Sequence, residues 1–337
     1  MSSSNETTNS SNVDLSSIHV SKKAKTTTSN AEPINISVRK ISGVPSNIAI
    51  PVRKVIVPKF PPNLFKLNTL AAFFGPRGSG KTNGAVLLAK EYIDYGSFTR
   101  VFILSPTYAS NPVFEVLNIA PEDVYTDIAN VLQSIDAVVA KIEADALRYQ
   151  SELDYAHMYV KWMQEPDKIL PAELIRLERE AFREPIPMKR PYPLILIDDC
   201  SHSQIYSTSR TNSFINLCLR HRHIGGEGYG CSIFMLVQNF KSGVPKVIRQ
   251  NLQQFFIWRT ADKGQLEAMW EEFANAVDFD TFEKIFHMAV DDDPHDFLTV
   301  DINPARDELG NFRKNFDTTL TLGDNSNIFR RKKNTKK

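Results

Sequence analysis

The chain has 337 residues, with 40 basic against 39 acidic side chains, 42% hydrophobic and 10% aromatic content. The length argues for about two domains at roughly 150 residues each. The composition excludes a wholly disordered chain, a collagen-like repeat and a disulfide scaffold. No run approaches the roughly 18 apolar residues that a membrane span needs.

The near-zero net charge hides an uneven distribution. Residues 1–60 carry eight Lys/Arg against three Asp/Glu, and Arg330–Lys337 holds six basic groups and no acid. Basic ends point to nucleic acid or another polyanion, or to a nuclear address; a solvated solubility tail is the plainer alternative. Three cysteines, Cys200, Cys218 and Cys231, have no metal-ligand spacing and leave one thiol over in any pairing. With no apolar N-terminal leader, the expectation is a reducing intracellular compartment, not secretion.

Residues 1–45 are rich in Ser, Thr and Asn and too poor in apolar surface to offset their ordering entropy, so a disordered tail is expected there. Val52, Val55 and Val57 read as a short strand. From Asn68 the chain alternates: an apolar run Leu70–Phe74, a Gly-rich turn, and then Thr82–Tyr95 with Ala85, Leu88, Ala89 and Tyr92 at helical spacing. The runs Val101–Leu104, Leu194–Ile197, Ser232–Val237 and Phe255–Trp258 follow, each apolar throughout, as strands covered on both faces are. Strands alternating with helices predict an α/β fold with a parallel core sheet. Between about 120 and 190 the chain is charged and rich in helix formers, which predicts a helical insertion. The expected organisation is a tail over 1–45, one α/β domain over 46–315, and a basic tail over 316–337.

Gly75-Pro76-Arg77-Gly78-Ser79-Gly80-Lys81-Thr82, followed by Asn83, satisfies G-x-x-x-x-G-K-[ST] in full. Glycines allow backbone amides to face a phosphate without Cβ obstruction, Lys81 adds charge to the β/γ-phosphates, and the Thr82 hydroxyl suits Mg²⁺. The motif follows a predicted strand and opens a predicted helix whose N-terminus favours anions. The run Leu194–Ile197 ends in Asp198-Asp199, at the strand end where open α/β sheets bind ligands. Asp198 is expected to hold Mg²⁺ through water and Asp199 to polarise the attacking water. Gln238, closing the Ser232–Val237 strand, is placed to sense a γ-phosphate, since an amide both donates and accepts; a plain strand-end turn is the alternative. Arg249 is a candidate arginine finger acting from a neighbouring subunit, with Arg220 and Arg222 as rivals. Ser201-His202, the His221-Arg222-His223 run and the Gly225–Gly230 loop match no hydrolase, zinc or dinucleotide pattern.

Together these residues resemble the FtsK–HerA superfamily, and particularly the genome-packaging ATPases of large DNA viruses and their virophage or Maverick-like relatives. The resemblance is carried by Gly75–Thr82, Phe102–Pro106, Leu194–Asp199, Arg220–His223 before the strand ending in Gln238, and Pro245, Ile248, Arg249 and Asn251, across roughly residues 65–305. It implies a P-loop NTPase of RecA/FtsK-like fold that hydrolyses ATP with Mg²⁺ to drive double-stranded DNA into a capsid. It also implies a homo-oligomeric ring of five or six copies, capsid proteins as partners, and a virion or host-cell viral factory as the location. Lys81 and Thr82 fall to nucleotide and metal, Asp198 and Asp199 to metal and water, Gln238 to sensing and Arg249 to the finger. Where that family often has a glutamate, Asp199 is one methylene shorter. Two other readings remain: a P-loop DNA helicase, and a nucleotide-gated DNA and capsid adaptor that does not hydrolyse ATP.

Overall fold

The computed structural model describes residues 59–323, save 202, 275 and 276. The expected N-terminal tail, the Val52–Val57 strand, His202 and the Arg330–Lys337 run lie outside the described residues.

Among the described residues nine strands form one sheet, in the order β3 (Val124–Tyr125), β2 (Arg100–Leu104), β4 (Pro193–Ile197), β5 (Ser232–Val237), β1 (Leu70–Phe74), β6 (Gln254–Trp258), β7 (Phe297–Asp301), β8 (Phe312–Lys314) and β9 (Thr318–Leu320). β1, β2, β4, β5 and β6 are mutually parallel. All five come from the continuous apolar runs, and β1, β4, β5 and β6 are buried at every position. Both faces of the sheet are covered, one by a core that includes Phe73, Leu88, Phe234 and Phe256, the other by one that includes Phe74, Phe102, Met235 and Phe255.

β5 separates β1 from β4, so three strand ends stand side by side at one edge: the Gly-rich loop after β1, Gln238 after β5, and Asp198 after β4. Parallel register aligns Phe74 with Val237 and Ile197 with Met235, which brings those ends nearly level.

The parallel core is present as expected, and the sheet extends beyond it on both sides. On one, β3 adds a short parallel edge. On the other, β7, β8 and β9 form an antiparallel extension. β9 carries the sheet past residue 315, where the domain was expected to end.

Helix α1 (Lys81–Asp94) follows the Gly-rich loop and packs on the sheet through Ala85, Leu88, Ala89 and Tyr92. The region expected to be an insertion holds α2 (Val131–Gln164) and α3 (Pro171–Arg179). Its first half is not an insertion. Val131, Ile135, Val138 and Ile142 are buried in the core, so this part of α2 is the crossover helix that joins the β2 edge to β4. Arg100 of β2 fixes it, bonding Asp123 at 2.7 Å and Asp145 of α2 at 2.8 Å. Beyond Ala146 the only buried residue of α2 is Tyr155. There the helix leans on α3 and the loop after it, through the Lys161–Glu173 ion pair and the rings of Trp162 and Phe182. The remaining helices are α4 (Ser213–Arg220), α5 (Phe240–Gly243), α6 (Lys246–Arg249), α7 (Lys263–Met269) and α8 (Phe279–Val290). Asn212, Asp262 and Asp278 cap α4, α7 and α8 through side-chain oxygens. No helix among the described residues is long and apolar enough to cross a membrane.

At the sheet edge remote from the Gly-rich loop, Asp301 and Arg313 are both 2% exposed. Asp301 accepts the Asn303 amide at 3.0 Å, while its second carboxylate oxygen has no hydrogen-bond partner. Burial, only partly offset by that amide and by Arg313, pushes its pKa up to about 6. A raised carboxyl pKa means that the fold favours the protonated form. The stability it confers is full below the unfolded value near 4 and is lost as pH rises through about 6. Asp301→Asn, which keeps the acceptor and removes the charge, is therefore expected to stabilise the chain at pH 7.5 by about 3 kcal/mol, or roughly 5 °C in Tm, with the gain vanishing near pH 4. Thermal melts across pH 4–8 test this; a gain that does not change with pH would refute it.

Candidate nucleotide site

The Gly-rich loop takes the shape its sequence requires. Gly80 has φ 98°, a left-handed conformation that costs a residue with a Cβ, and it turns the chain straight into α1. No side chain caps that helix, so its first amides are left for an external acceptor. The loop is held from two sides. The Gly75 amide donates to the Val237 carbonyl of β5 at 3.3 Å, and His295, just before β7, has Nδ1 3.2 Å from the Ser79 carbonyl.

The side chains of the two motifs meet. Thr82 donates its hydroxyl to Oδ2 of Asp198 at 3.0 Å. Lys81 lies inside the loop, 9% exposed, with Nζ donating to the Pro76 carbonyl at 2.7 Å. Burial lowers the Lys81 pKa even though Asp198 and Asp199 pull the other way. Burial raises the pKa of Asp198, which is 8% exposed, against the Thr82 hydrogen bond. A buried ammonium and a buried carboxylate are thus both held at a cost, relieved only by further charge or hydrogen bonds in the site.

Asp199 stands apart from its neighbour. At φ 55° it breaks the strand into the left-handed region and leaves its own side chain exposed while Asp198 is buried. Backbone strain of this kind costs of order 1–3 kcal/mol and is concentrated at functional sites. Gln238 is exposed and shares a cleft of about 340 Å³ with Gly75, Pro76 and Arg77. Gly78 and Arg77 are exposed at the loop tip, Ser79 is buried with its hydroxyl unpartnered, and Asn83 is exposed on the first turn of α1. The structure thus gathers Gly75–Asn83, Asp198, Asp199 and Gln238 at one edge of the sheet.

Arg249 does not join them as a free finger. Its Nε donates to Glu272 at 2.8 Å and its Nη1 reaches the carbonyls of Lys241 at 3.0 Å and Val244 at 3.1 Å, with the guanidinium over the Phe240 ring. Its Nε and Nη1 donors are thus engaged within its own subunit, where they hold the segment that follows Gln238. Arg220 and Arg222, exposed at and after the end of α4, precede β5 and so lie at the other end of the strands from the loop.

Sequence reasoning missed Trp258. Its indole Nε1 donates to the His295 carbonyl at 2.9 Å, and its ring lies so close to α1 that a Cβ on Gly84 would be 3.0 Å from it. A signal was present: glycine inside a helix costs about 1 kcal/mol and implies a close neighbour. His295 left no such trace.

The oxygens of Thr82 and Asp198 suit Mg²⁺, which binds proteins through one or two such ligands and completes its shell with phosphate and water. A dedicated protein cage is not needed, in keeping with the lack of any cluster of three or more His, Cys, Asp or Glu fit for a metal among the described residues.

No protein-family model and no curated protein matches the sequence. Solved structures do. The DNA-packaging ATPase B204 from Sulfolobus turreted icosahedral virus aligns over 70% of this chain and 93% of its own, at 10% identity and a TM-score of 0.41. EssC (ATPases 2 and 3) from Geobacillus thermodenitrificans aligns over 77% of this chain and 42% of its own, at 13% identity and a TM-score of 0.42. The pCW3 conjugation coupling protein TcpA aligns over 62% and 52%, at 12% identity and a TM-score of 0.34. With its phosphate loop after β1, its acids after β4 and β5 set between them, the chain has a P-loop NTPase fold.

Proposed function

We propose that the chain is an ATP-hydrolysing motor that moves double-stranded DNA into a viral capsid, working as a homo-oligomeric ring in the virion or the host-cell viral factory, with capsid proteins as partners. The observation that carries the ATPase reading is the 3.0 Å contact between Thr82 and Asp198, because it joins the phosphate loop to the acid strand. The packaging reading adds the motif order from Gly75 to Asn251 and the basic residues at both ends.

In this reading the loop amides and Lys81 bind the β- and γ-phosphates, and the triphosphate takes over Lys81 from the Pro76 carbonyl. Thr82 and Asp198 hold Mg²⁺, which supplies charge neutralisation on the phosphate oxygens when bound. Asp199, exposed beside the buried Asp198, accepts a hydrogen bond from the attacking water and orients it. Gln238 bonds the γ-phosphate or that water from the strand between. Its neighbour Asn239 opens the segment α5–α6, so a movement of Gln238 on phosphate release passes into a surface element.

Phosphate release with and without duplex DNA tests the proposal. Hydrolysis that requires Mg²⁺ and rises with duplex DNA is expected. ATP binding without phosphate release would favour the adaptor, and separation of a forked duplex would favour the helicase.

A further inference from the structure

The segment that follows Gln238 is suspended at both ends from one helix. At its start, Gln265 of α7 accepts a hydrogen bond from the Phe240 amide at 3.1 Å and donates one to the Asn239 side chain at 3.2 Å. At its end, Arg249 is held by Glu272 at 2.8 Å. Glu272 lies in the turn Trp270–Ala274, which continues α7. That turn is π-helical, a rare conformation that is frequent at functional sites.

Between the two grips Phe240 is fully buried, its ring edge-on to Phe74 at 5.2 Å and to Phe273 of the π-helical turn at 5.9 Å. Phe74 ends β1, and Gly75 opens the phosphate loop. The loop strand, the residues after Gln238 and the α7 run thus meet in one packed unit. Gln238 itself is exposed, so its place in the cleft is set by the backbone on either side of it: the fixed strand β5 before, and Asn239 and Phe240 after. Gln265 lines the same cleft. We infer that Gln265 is a positioning residue, which holds Gln238 at the γ-phosphate and ties its place to α7. The inference rests on the assignment of Gln238 to the γ-phosphate above.

The chemistry of the position calls for an amide. Phe240 presents a donor, whereas Asn239 and Asp262 present oxygens, the latter also 3.2 Å from Nε2. A residue between them must accept once and donate twice, which an amide does. Glutamate keeps the acceptor for Phe240, loses both donors and sets a carboxylate beside Asp262. Leucine, of similar size, keeps neither function. With Oε1 and Nε2 both engaged in this way, Gln265 acts through Gln238 and not on the nucleotide itself.

A double-mutant cycle of Gln265→Leu and Gln238→Ala in the full chain tests this, read by steady-state hydrolysis, ATP calorimetry and thermal melts. Gln265→Leu is expected to lower kcat about tenfold, leave the ATP dissociation constant within about twofold, and lower Tm by no more than about 4 °C. In the Gln238→Ala background the same change is expected to cost less than about twofold in kcat, because the residue through which it acts is gone. Gln265→Glu, which keeps the Phe240 acceptor, is expected to recover part of the lost turnover. Equal losses in both backgrounds, undiminished kcat in Gln265→Leu, no recovery in Gln265→Glu, or a parallel loss of ATP binding would overturn the inference while leaving Gln238 and the phosphate site intact. A Gln238→Ala chain that turns over like the unaltered one would reject the γ-phosphate role of Gln238, and this inference with it. An unaltered chain that releases no phosphate would overturn the ATPase reading and the inference together.

Discussion

Lys81→Ala is expected to lower the rate of ATP hydrolysis by about 10²–10³-fold, the range found when one preorganised donor is removed from developing negative charge. The same change is expected to leave the melting temperature unchanged or slightly higher. Lys81 makes a single hydrogen bond, to the Pro76 carbonyl, and burial lowers its pKa in spite of two nearby carboxylates. Its ammonium is thus disfavoured in the ligand-free fold, and removing it costs no stability. Turnover and thermal melts on the same preparation separate the two effects. Undiminished hydrolysis would reject Lys81 as a phosphate ligand; a large fall in Tm would make it a structural residue. Adding ATP sharpens the contrast, because ligand binding should raise the Tm of the unaltered chain and not that of the variant.

How much of this was legible beforehand follows from the physics of each element. β1, β4, β5 and β6 announce themselves because a strand covered on both faces must be apolar at every position. The phosphate loop is legible because its glycines, lysine and threonine are dictated by backbone and charge requirements rather than by context. β3, β8 and β9 were not, being two or three residues long and too short to show a period. β8 also buries Arg313, a residue that reads as surface. It lies inside because its Nη1 reaches the carbonyls of Phe316, in the turn that follows, and of Asn63, and its guanidinium lies over Phe65, the last two supplied by a segment remote in sequence. In α2 the charged texture outweighed a stripe at Val131, Ile135, Val138 and Ile142 that spacing alone marks as core-facing. The pairing of Thr82 with Asp198 was legible; the approach of His295 to the loop was not, because it comes from a segment more than 200 residues beyond it.

Arg249→Ala is expected to destabilise the chain by about 3 kcal/mol, the lower end for breaking a buried ion pair by removing one partner. Arg249 and Glu272 are only 11% and 17% exposed, and the other oxygen of Glu272 has no hydrogen-bond partner, so the carboxylate would be left buried and unpaired. The three carbonyls that Arg249 holds, from Phe240, Lys241 and Val244, belong to the segment that starts two residues after Gln238. Their release should loosen Gln238 and lower turnover as a consequence of the structural loss. Arg249→Lys should not restore stability, since one ammonium cannot span a carboxylate and several carbonyls as a planar guanidinium does. Glu272→Gln should recover more turnover than Arg249→Ala, because it keeps an acceptor for Nε and leaves the carbonyl clamp in place. A finger acting in trans predicts the opposite signature: unchanged melting, abolished hydrolysis, and rescue when Arg249→Ala subunits are mixed with Lys81→Ala subunits so that each supplies what the other lacks. Melting and mixing experiments on these variants decide between a clamp within the subunit and a contact between subunits, and the four bonds that Arg249 makes within its own chain favour the clamp.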